Sequence, residues 1–167
     1  MEFVLNPSPV FNIKMRPLAD DAEARYMAQC IASCRDPRED GIYDPSTELN
    51  FWTARANTCR EAGASGVAFG VFVNGGSPVG GILGLFLQAE GGQRRMEVYC
   101  CNSLIDRESI ESAMRSALRS WASENNVQLL HHVYTSTDFG PNDTVFDGNN
   151  AVLLGAVRVV HSELVPF

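Results

Sequence analysis

The middle of the chain is the segment that limits its fold most. Residues 66–101, "GVAFGVFVNGGSPVGGILGLFLQAEGGQRRMEVYCC", contain three strand-like runs separated only by "NGGSP" and "GGQ". Both connectors are typical of hairpin turns, since Asn74-Gly75 and Gly91-Gly92 tolerate the positive φ angles that such turns require. Connectors this short make consecutive strands antiparallel neighbours. We therefore predict a three-stranded antiparallel meander at the centre of the fold.

The helix after the meander decides how the sheet continues. Residues 106–125 carry an apolar stripe at helical spacing, formed by Ile110, Met114, Ala117, Leu118 and Trp121. The next segment, "VQLLHHVYTST", is almost fully apolar, which is typical of a strand buried on both faces. A helix between two strands of one sheet is a crossover, so the strands before and after it are predicted to be parallel.

Two helices are predicted before the meander. The segment "FNIKMRPLADDAEARYMAQCIASC" predicts a short strand and then a helix capped by Asp20 or Asp21. The buried stripe of that helix is predicted to be Met27, Cys30, Ile31 and Cys34. A second helix should start near Ser46 and stop at Gly63. Its predicted buried residues are Leu49, Trp52, Ala56 and Cys59.

The end of the chain predicts a short apolar helical piece, "NNAVLLG", and a last strand, "AVRVVHSELVPF". The chain 1–167 is thus predicted to be one α/β (α+β) domain. A mixed, mainly antiparallel central sheet of six or seven strands is flanked by three or four helices, in the order β-α-α-β-β-β-α-β-α-β. Residues 1–11 are predicted to be an extended N-terminal segment, whose proline-rich part "NPSPVF" lies on the surface.

Composition narrows the function classes. The 167 residues are 45% hydrophobic, which is enough for one globular core. The formal net charge of -7 argues against a nucleic-acid partner, because nucleic acids are themselves negatively charged. No apolar run approaches the roughly 20 residues that span a bilayer, so we expect no membrane insertion. The five cysteines form no C-x-x-C motif, which favours free thiols, a reducing compartment and a cytoplasmic location.

Three local sequences resemble the GNAT-type N-acyltransferases, and the predicted order of elements resembles that family from Ile13 to about Pro166. "IKMRPLADDAEA" is similar to the family's opening strand and acidic helix cap. "FVNGGSPVGGILGLF" is similar to its second hairpin, and "NNAVLLGAVRVVHSE" to its final helical turn and last strand. The resemblance implies a GNAT fold and, for an active member, an acyl-coenzyme A such as acetyl-coenzyme A as donor.

One stretch departs from the family. Its active members carry a Gln/Arg-x-x-Gly-x-Gly/Ala loop after the fourth strand, and this loop binds the diphosphate of the donor with backbone N–H groups. Here the segment is "NSLIDRESIESA", without glycine. Asp106, Glu108 and Glu111 place negative charge at the same point, and an ordinary helix capped by Asp106 explains them without a ligand. The loop is therefore expected to be degenerate, and donor binding through it is not expected.

The resemblance also supplies candidate site residues. Glu97 and Tyr99 lie two apart on one strand and therefore on one face, where the family keeps its catalytic base. Both are candidate catalytic residues, and the alternative for Glu97 is a solvent-facing position on a half-exposed strand. Position in the fold makes Cys100, Cys101, Asn102, Arg107 and Asn150 the candidate donor-binding residues.

Other chemistry is less well supported by the sequence. Cys100-Cys101 and His131-His132 could suggest a Cys-His site, but adjacent strand residues face opposite sides. One cysteine and one histidine do not complete a metal site, so no metal is expected. His132 and Tyr134 could also project toward the cleft, although a histidine in an apolar strand is more often a hydrogen-bonded core residue.

Two functions of different class remain from the sequence. One is an acyl-coenzyme A-dependent N-acyltransferase, and the other is a non-catalytic GNAT-fold structural or interaction module. Divergent chains of this kind resemble small phage-encoded proteins, some of them virion-associated, which would put the protein in a host cytosol or a virion. A module would use a protein partner or self-association, with an apolar contact surface around Phe139, Phe146 and the C-terminal "LVPF".

Overall fold

The computed structural model describes residues 1–6, 12–34, 45–90, 93–134 and 159–166 of the chain. The strands in these ranges are β1 (Phe3–Asn6), β2 (Ile13–Pro17), β3 (Gly66–Val73), β4 (Pro78–Glu90), β5 (Gln93–Ser103), β6 (Leu129–Tyr134) and β7 (Val159–Leu164). The α-helices are α1 (Asp21–Ser33), α2 (Pro45–Glu61) and α3 (Arg107–Glu124). One turn of 3-10 helix, Gly63–Ser65, joins α2 to β3.

The described strands form one sheet whose spatial order is the order along the chain. Every neighbouring pair is antiparallel except β5 and β6, which are parallel. That pair is the one connected by α3, as a crossover requires. The predicted mixed α/β (α+β) fold, with its antiparallel meander of β3, β4 and β5, is confirmed.

The turn between β3 and β4 is the one that the sequence indicates. Asn74 and Gly75 both have positive φ, 51° and 74°, which matches the twist of the flanking strands. Asn74 also holds the start of β2, because its Oδ1 accepts the Asn12 N–H at 2.9 Å. Its own N–H donates to the Asn12 carbonyl oxygen at 2.8 Å. Gly91 and Gly92 lie outside the described residues.

The first helix is capped as predicted. Asp20 accepts the Glu23 N–H at 2.9 Å, and the Glu23 carboxylate accepts the Ala19 N–H at 2.7 Å. Arg16 of β2 donates to both carboxylate oxygens of Glu23. The hydrogen bond from Arg16 lowers the pKa of Glu23, although burial alone would raise it. The strand and the helix are therefore tied together at the point where the chain turns.

Helices cover both faces of the sheet. The face covered by α1 and α2, called the α1/α2 face, buries Leu18, Ala24, Met27, Ala28, Ile31, Trp52, Ala56, Cys59, Ala68, Phe72, Leu83 and Cys100. The opposite face, called the α3 face, buries residues that include Met15, Val71, Ile82, Met96, Val98, Ile110, Met114, Leu118, Trp121 and Leu130. The helical stripes predicted from the sequence supply most of the helical residues among these, while Cys34, Leu49 and Ala117 are only half-buried.

Gly81 in β4 permits the closest contact between α1 and the sheet. A Cβ atom there would lie 2.2 Å from the carbonyl oxygen of Phe69 and 2.5 Å from the Met27 methyl group. Real Cβ atoms do not approach backbone so closely, so only glycine fits without displacement. The glycine therefore sets the spacing between β3, β4 and α1.

The described part of the N-terminal segment is extended, as the strand β1. It pairs with β2, and the Phe3 ring packs edge-on against Phe69 at 5.8 Å. The prediction that β6 is buried on both faces holds only in part: Leu130 and Val133, on opposite faces, are buried, whereas His131 and His132 are only partly buried. Among the described residues, the buried cluster beneath α1 and α2 includes none from β6.

Some expectations concern residues outside the described ranges. They are the remainder of the "NPSPVF" segment after its asparagine, the helical piece "NNAVLLG", and the first part of the last strand. The described part of that strand, β7, pairs antiparallel with β6.

Gly81→Ala is expected to lower the free energy of unfolding by about 1–3 kcal/mol, the usual cost of overpacking a dense interior. Gly76→Ala is the matched control, because that glycine lies in the exposed turn with its nearest contact at 3.3 Å. The control should change the free energy by less than about 1 kcal/mol. Urea unfolding followed by fluorescence of Trp52 and Trp121 measures both variants, and equal losses would contradict the close approach at Gly81.

Candidate functional site

The parallel pairing of β5 and β6 stops in the middle of both strands. The last paired residues are Val98 and His132. Beyond them β5 continues to Ser103 beside β4, and β6 continues to Tyr134 beside β7. Because each strand keeps its other neighbour, the ladder between the two strands ends inside the sheet, and among the described residues an opening lies between them beyond this point. In open sheets with parallel strands, such an opening at the carboxyl ends is a common ligand position.

A β-bulge lies at the start of this opening. Leu83 of β4 pairs with Cys100 and Gly84 pairs with Val98, so Tyr99 has no partner on β4. The extra residue places both Tyr99 and Cys100 on the α1/α2 face, where they contact the same buried cluster. Bulges bend a strand and redirect side chains, and they are common beside active sites.

Glu97 and Tyr99 lie together on the α1/α2 face. The Tyr99 hydroxyl donates to the Glu97 carboxylate at 2.8 Å. The Arg55 guanidinium of α2 lies over the Tyr99 ring, 4.0 Å from its centroid, and contributes a cation–π contact. The two candidate catalytic residues therefore form a bonded pair beside the opening, with a cation against the tyrosine. Arg55 was missed by the sequence reasoning because no local pattern links α2 to β5.

The surroundings of Tyr99 determine its protonation. Burial raises the pKa of Tyr99 well above its usual value, and the hydrogen bond to Glu97 raises it further. The hydroxyl therefore stays protonated at neutral pH and acts as a hydrogen-bond donor. Of the pair, only Glu97 can serve as a proton acceptor.

Three backbone N–H groups of the loop between β5 and α3 donate hydrogen bonds to acceptors within the protein. The Ser103 N–H donates to the Glu111 carboxylate at 3.0 Å, and the Leu104 N–H donates to the Val79 carbonyl oxygen at 2.9 Å. The Ile105 N–H donates to the Ser103 hydroxyl oxygen at 3.2 Å. Three consecutive backbone donors at the expected diphosphate position are thus engaged within the protein.

The acidic residues of this loop play different roles from those predicted. Asp106 is at the N-cap position, but its side chain caps nothing and its φ is 40°, so the predicted Asp106 cap is wrong. Glu111 instead turns back from the first turns of α3 to the loop. Arg107, a candidate donor-binding residue, lies 3.4 Å from the Glu111 carboxylate. The i, i+4 spacing of Arg107 and Glu111 was the sequence signal for this pair.

The remaining candidate donor-binding residues are divided between the faces. Cys100 is buried on the α1/α2 face, whereas Cys101 packs against the α3 face. Burial raises the pKa of the Cys101 thiol to about 12 and that of Cys100 well above its usual value, so neither thiol is an available nucleophile at neutral pH. Asn102 is half-buried and pairs with Gly81. Asn150 lies outside the described residues.

The two histidines of β6 face opposite sides. His132 is on the α3 face, where Nε2 lies 3.3 Å from Glu163 of β7 and Arg119 of α3 also binds that carboxylate. Burial alone would raise the pKa of Glu163, but Arg119 and His132 lower it below its usual value. His131 is on the α1/α2 face, and its Nδ1 lies 2.8 Å from the Ser162 hydroxyl oxygen. The side chain of Tyr134 is outside the described part of the chain.

Two further findings concern metal binding and membrane insertion. Within the described ranges, no group of three or more histidine, cysteine, aspartate or glutamate side chains is arranged to hold a metal ion. None of the helices in those ranges is long and apolar enough to cross a membrane. Phe139 and Phe146 of the expected contact surface lie outside the described residues, while Leu164 is exposed and Val165 is buried.

The chain was compared with known proteins. No protein-family model matches it, and no curated protein matches it at a significant level. A solved structure from Desulfovibrio desulfuricans, assigned to the acetyltransferases of the GNAT family, superposes with a TM-score of 0.63 at 12% identity. That match covers 92% of this chain and 99% of the other. The chain therefore has the GNAT fold.

A GNAT-family acetyltransferase from Bacillus anthracis is also similar, at 15% identity over 86% of this chain and 78% of the other. Its TM-score of 0.40 is too low to support an argument about shared structure.

Glu111→Ala is expected to lower the free energy of unfolding by about 1–3 kcal/mol, because the Ser103 N–H loses its acceptor in a half-buried loop. Glu108→Ala removes an exposed carboxylate from the same helix turn and should cost at most about 1 kcal/mol. Glu111→Gln keeps an acceptor oxygen and should fall between the two. Chemical denaturation of the three variants measures this, and identical costs for Glu111→Ala and Glu108→Ala would rule out the loop contact.

Proposed function

We propose that this chain is a GNAT-type N-acyltransferase whose thioester donor binds in the opening between β5 and β6 and not through the β5–α3 loop. The observation that carries the proposal is the end of the β5–β6 ladder at Val98 and His132, with both strands continuing. An extended thioester arm fits such a gap, because backbone groups that face a separated strand can hydrogen-bond to its amides. The opening lies directly beside Glu97 and Tyr99.

The roles of the two side chains follow from their contacts. An acceptor amine must lose a proton as its nitrogen bonds to the thioester carbonyl carbon and the carbon–sulfur bond breaks. Glu97 is the group that takes this proton, and the leaving thiolate is reprotonated. Tyr99 donates to Glu97 at 2.8 Å and holds the carboxylate in place. General-base catalysis of this kind contributes about 10²- to 10⁴-fold to a rate.

The contacts of the β5–α3 loop support the inference that the donor does not bind through this loop. Glu111 already occupies the Ser103 N–H, and the next two N–H groups have internal acceptors. A diphosphate at this point would have to displace a carboxylate and approach Asp106 and Glu108, both exposed on the same helix start. Like charges repel, and the partly buried Glu111 carboxylate is screened less by solvent than the two exposed ones. We therefore infer that the donor is held by its thioester arm, and a nucleotide diphosphate adds little.

A second function is favoured by the same loop. A GNAT fold in which the N–H groups of Ser103, Leu104 and Ile105 already have internal acceptors also suits a non-catalytic interaction module, including the proposed phage or virion-associated role. The two functions differ in a measurable property, because a non-catalytic module binds neither acetyl-coenzyme A nor a shorter thioester without the nucleotide.

The test compares acetyl-coenzyme A with S-acetyl-pantetheine, which has the same thioester arm but no diphosphate or nucleotide. Binding is measured by calorimetry, and transfer to a panel of primary amines is measured by release of free thiol. The proposal expects dissociation constants that agree within about threefold, a difference of less than about 1 kcal/mol. A diphosphate-binding loop would favour acetyl-coenzyme A by about tenfold or more for each charge-assisted hydrogen bond.

Glu97→Gln is expected to reduce kcat by about 10²- to 10⁴-fold with donor affinity unchanged, because the amide cannot take the amine proton. Glu61→Gln, at the exposed end of α2, is the control and should keep full activity. Donor binding with an unaffected kcat in Glu97→Gln would remove Glu97 from the chemistry. If neither donor binds, the acyltransferase proposal fails and the module function stands.

A further inference from the structure

We propose that His131 and Ser162 extend the base Glu97 into a proton relay that crosses three strands and ends at the protein surface. The proposal rests on the proposed acyl transfer and adds two residues to it. Glu97 pairs with His131 in the parallel ladder of β5 and β6, and His131 pairs with Ser162 in the antiparallel ladder of β6 and β7. The three residues therefore form one straight row across the sheet.

All three side chains are on the same face. Met96 and Val98, which flank Glu97, and Leu130, which precedes His131, are buried on the α3 face. Because side chains alternate along a strand, Glu97 and His131 project from the α1/α2 face. Neighbouring strands are about 4.8 Å apart, so directly paired residues on one face are side-chain neighbours.

Ser162 fixes the orientation of the imidazole. The distance of 2.8 Å from its hydroxyl oxygen to His131 Nδ1 turns that nitrogen toward β7. The other ring nitrogen, Nε2, is on the opposite side of the ring and is therefore directed away from β7, on the side of β5. In proteins the partner of one imidazole nitrogen usually decides the role of the other.

The row has the chemical order that a relay needs. Tyr99 donates to Glu97, so the carboxylate is held but keeps acceptor capacity, since an ionised carboxylate accepts several hydrogen bonds. Glu97 and His131 are both half-buried, and Ser162 is exposed. The row therefore ends at the protein surface.

The charges around His131 come from several elements. Glu97 is its neighbour on β5, and Arg95 is on the same face of β5 two residues earlier. Arg55 of α2 reaches this face through its contact with Tyr99. Glu163 and Arg119 are on the α3 face and contact His132 or its partner, not His131. Among the described residues, the carboxylate that is paired with His131 in the ladder is Glu97.

The proton balance is simple. The acceptor amine gives its proton to Glu97 as the nitrogen–carbon bond forms. Glu97 passes that proton to Nε2 of His131, and Nδ1 releases its own proton to the Ser162 hydroxyl, which gives one to water. The carbon–sulfur bond breaks, and the thiolate takes a proton from water. Glu97 returns to its ionised form. After product release the imidazole gives its Nε2 proton to water and regains one at Nδ1 through Ser162, which restores its starting tautomer.

The experiment measures acyl transfer by the full-length chain with S-acetyl-pantetheine as donor. His131→Ala should lower kcat by about 10-fold or more with KM for the donor unchanged, and added imidazole should restore much of the rate. Ser162→Ala should lower kcat less, without rescue. His132→Gln is the matched control from the other face of the same strand, and imidazole should not change its rate.

A kinetic double-mutant cycle separates a relay from a local packing effect. Residues that act as one unit are strongly non-additive, so Glu97→Gln combined with His131→Ala should be about as slow as Glu97→Gln alone. Fully additive losses, or a His131→Ala variant that is slow but insensitive to imidazole, overturn the relay. If the wild-type protein transfers the acyl group and His131→Ala is equally fast, the relay is wrong but the proposed acyl transfer stands. A wild-type protein without any transfer overturns the proposed function first.

Discussion

The structure depends on β5, the strand at which the sheet changes from antiparallel to parallel pairing. On one side β5 is bound along most of its length to β4, and on the other it pairs with β6 only from Arg95 to Val98. The crossover by α3 imposes the parallel direction, and the β-bulge at Tyr99 bends the strand where that pairing ends. The opening, the Glu97–Tyr99 pair and the loop before α3 all follow from these two features.

The two halves of the site have different characters. The opening is of the kind that admits an extended ligand, whereas the β5–α3 loop is closed by Glu111 and the Ser103 hydroxyl. Position in the GNAT fold would make both parts of one donor site. Their chemistry separates them, because an anion-binding loop needs backbone donors without internal acceptors. Shared fold alone does not establish activity, so the case for acyl transfer depends on Glu97 and the opening beside it.

Much of the fold could be predicted from local patterns. The Asn74-Gly75 turn, a cap at Asp20 or Asp21 and the stripe around Met114 are predicted from local sequence alone, since turns, caps and helix faces depend on residues close in sequence. The incomplete burial of β6 has a non-local cause. Its apolar sequence predicts burial on both faces, but the burial of each residue depends on which elements cover the strand, and the buried cluster beneath α1 and α2 is formed with strands nearer the other edge of the sheet.

The sequence by itself determined the order of elements, the antiparallel meander, the parallel crossover and the lack of glycine before α3. It also placed Glu97 and Tyr99 on one face, because alternation along a strand is a local property. Only the tertiary structure decided where the β5–β6 ladder ends, that Glu111 binds Ser103, and that Glu97, His131 and Ser162 form one row. These facts depend on strand register and on contacts between distant segments, and no local periodicity in a single chain specifies them.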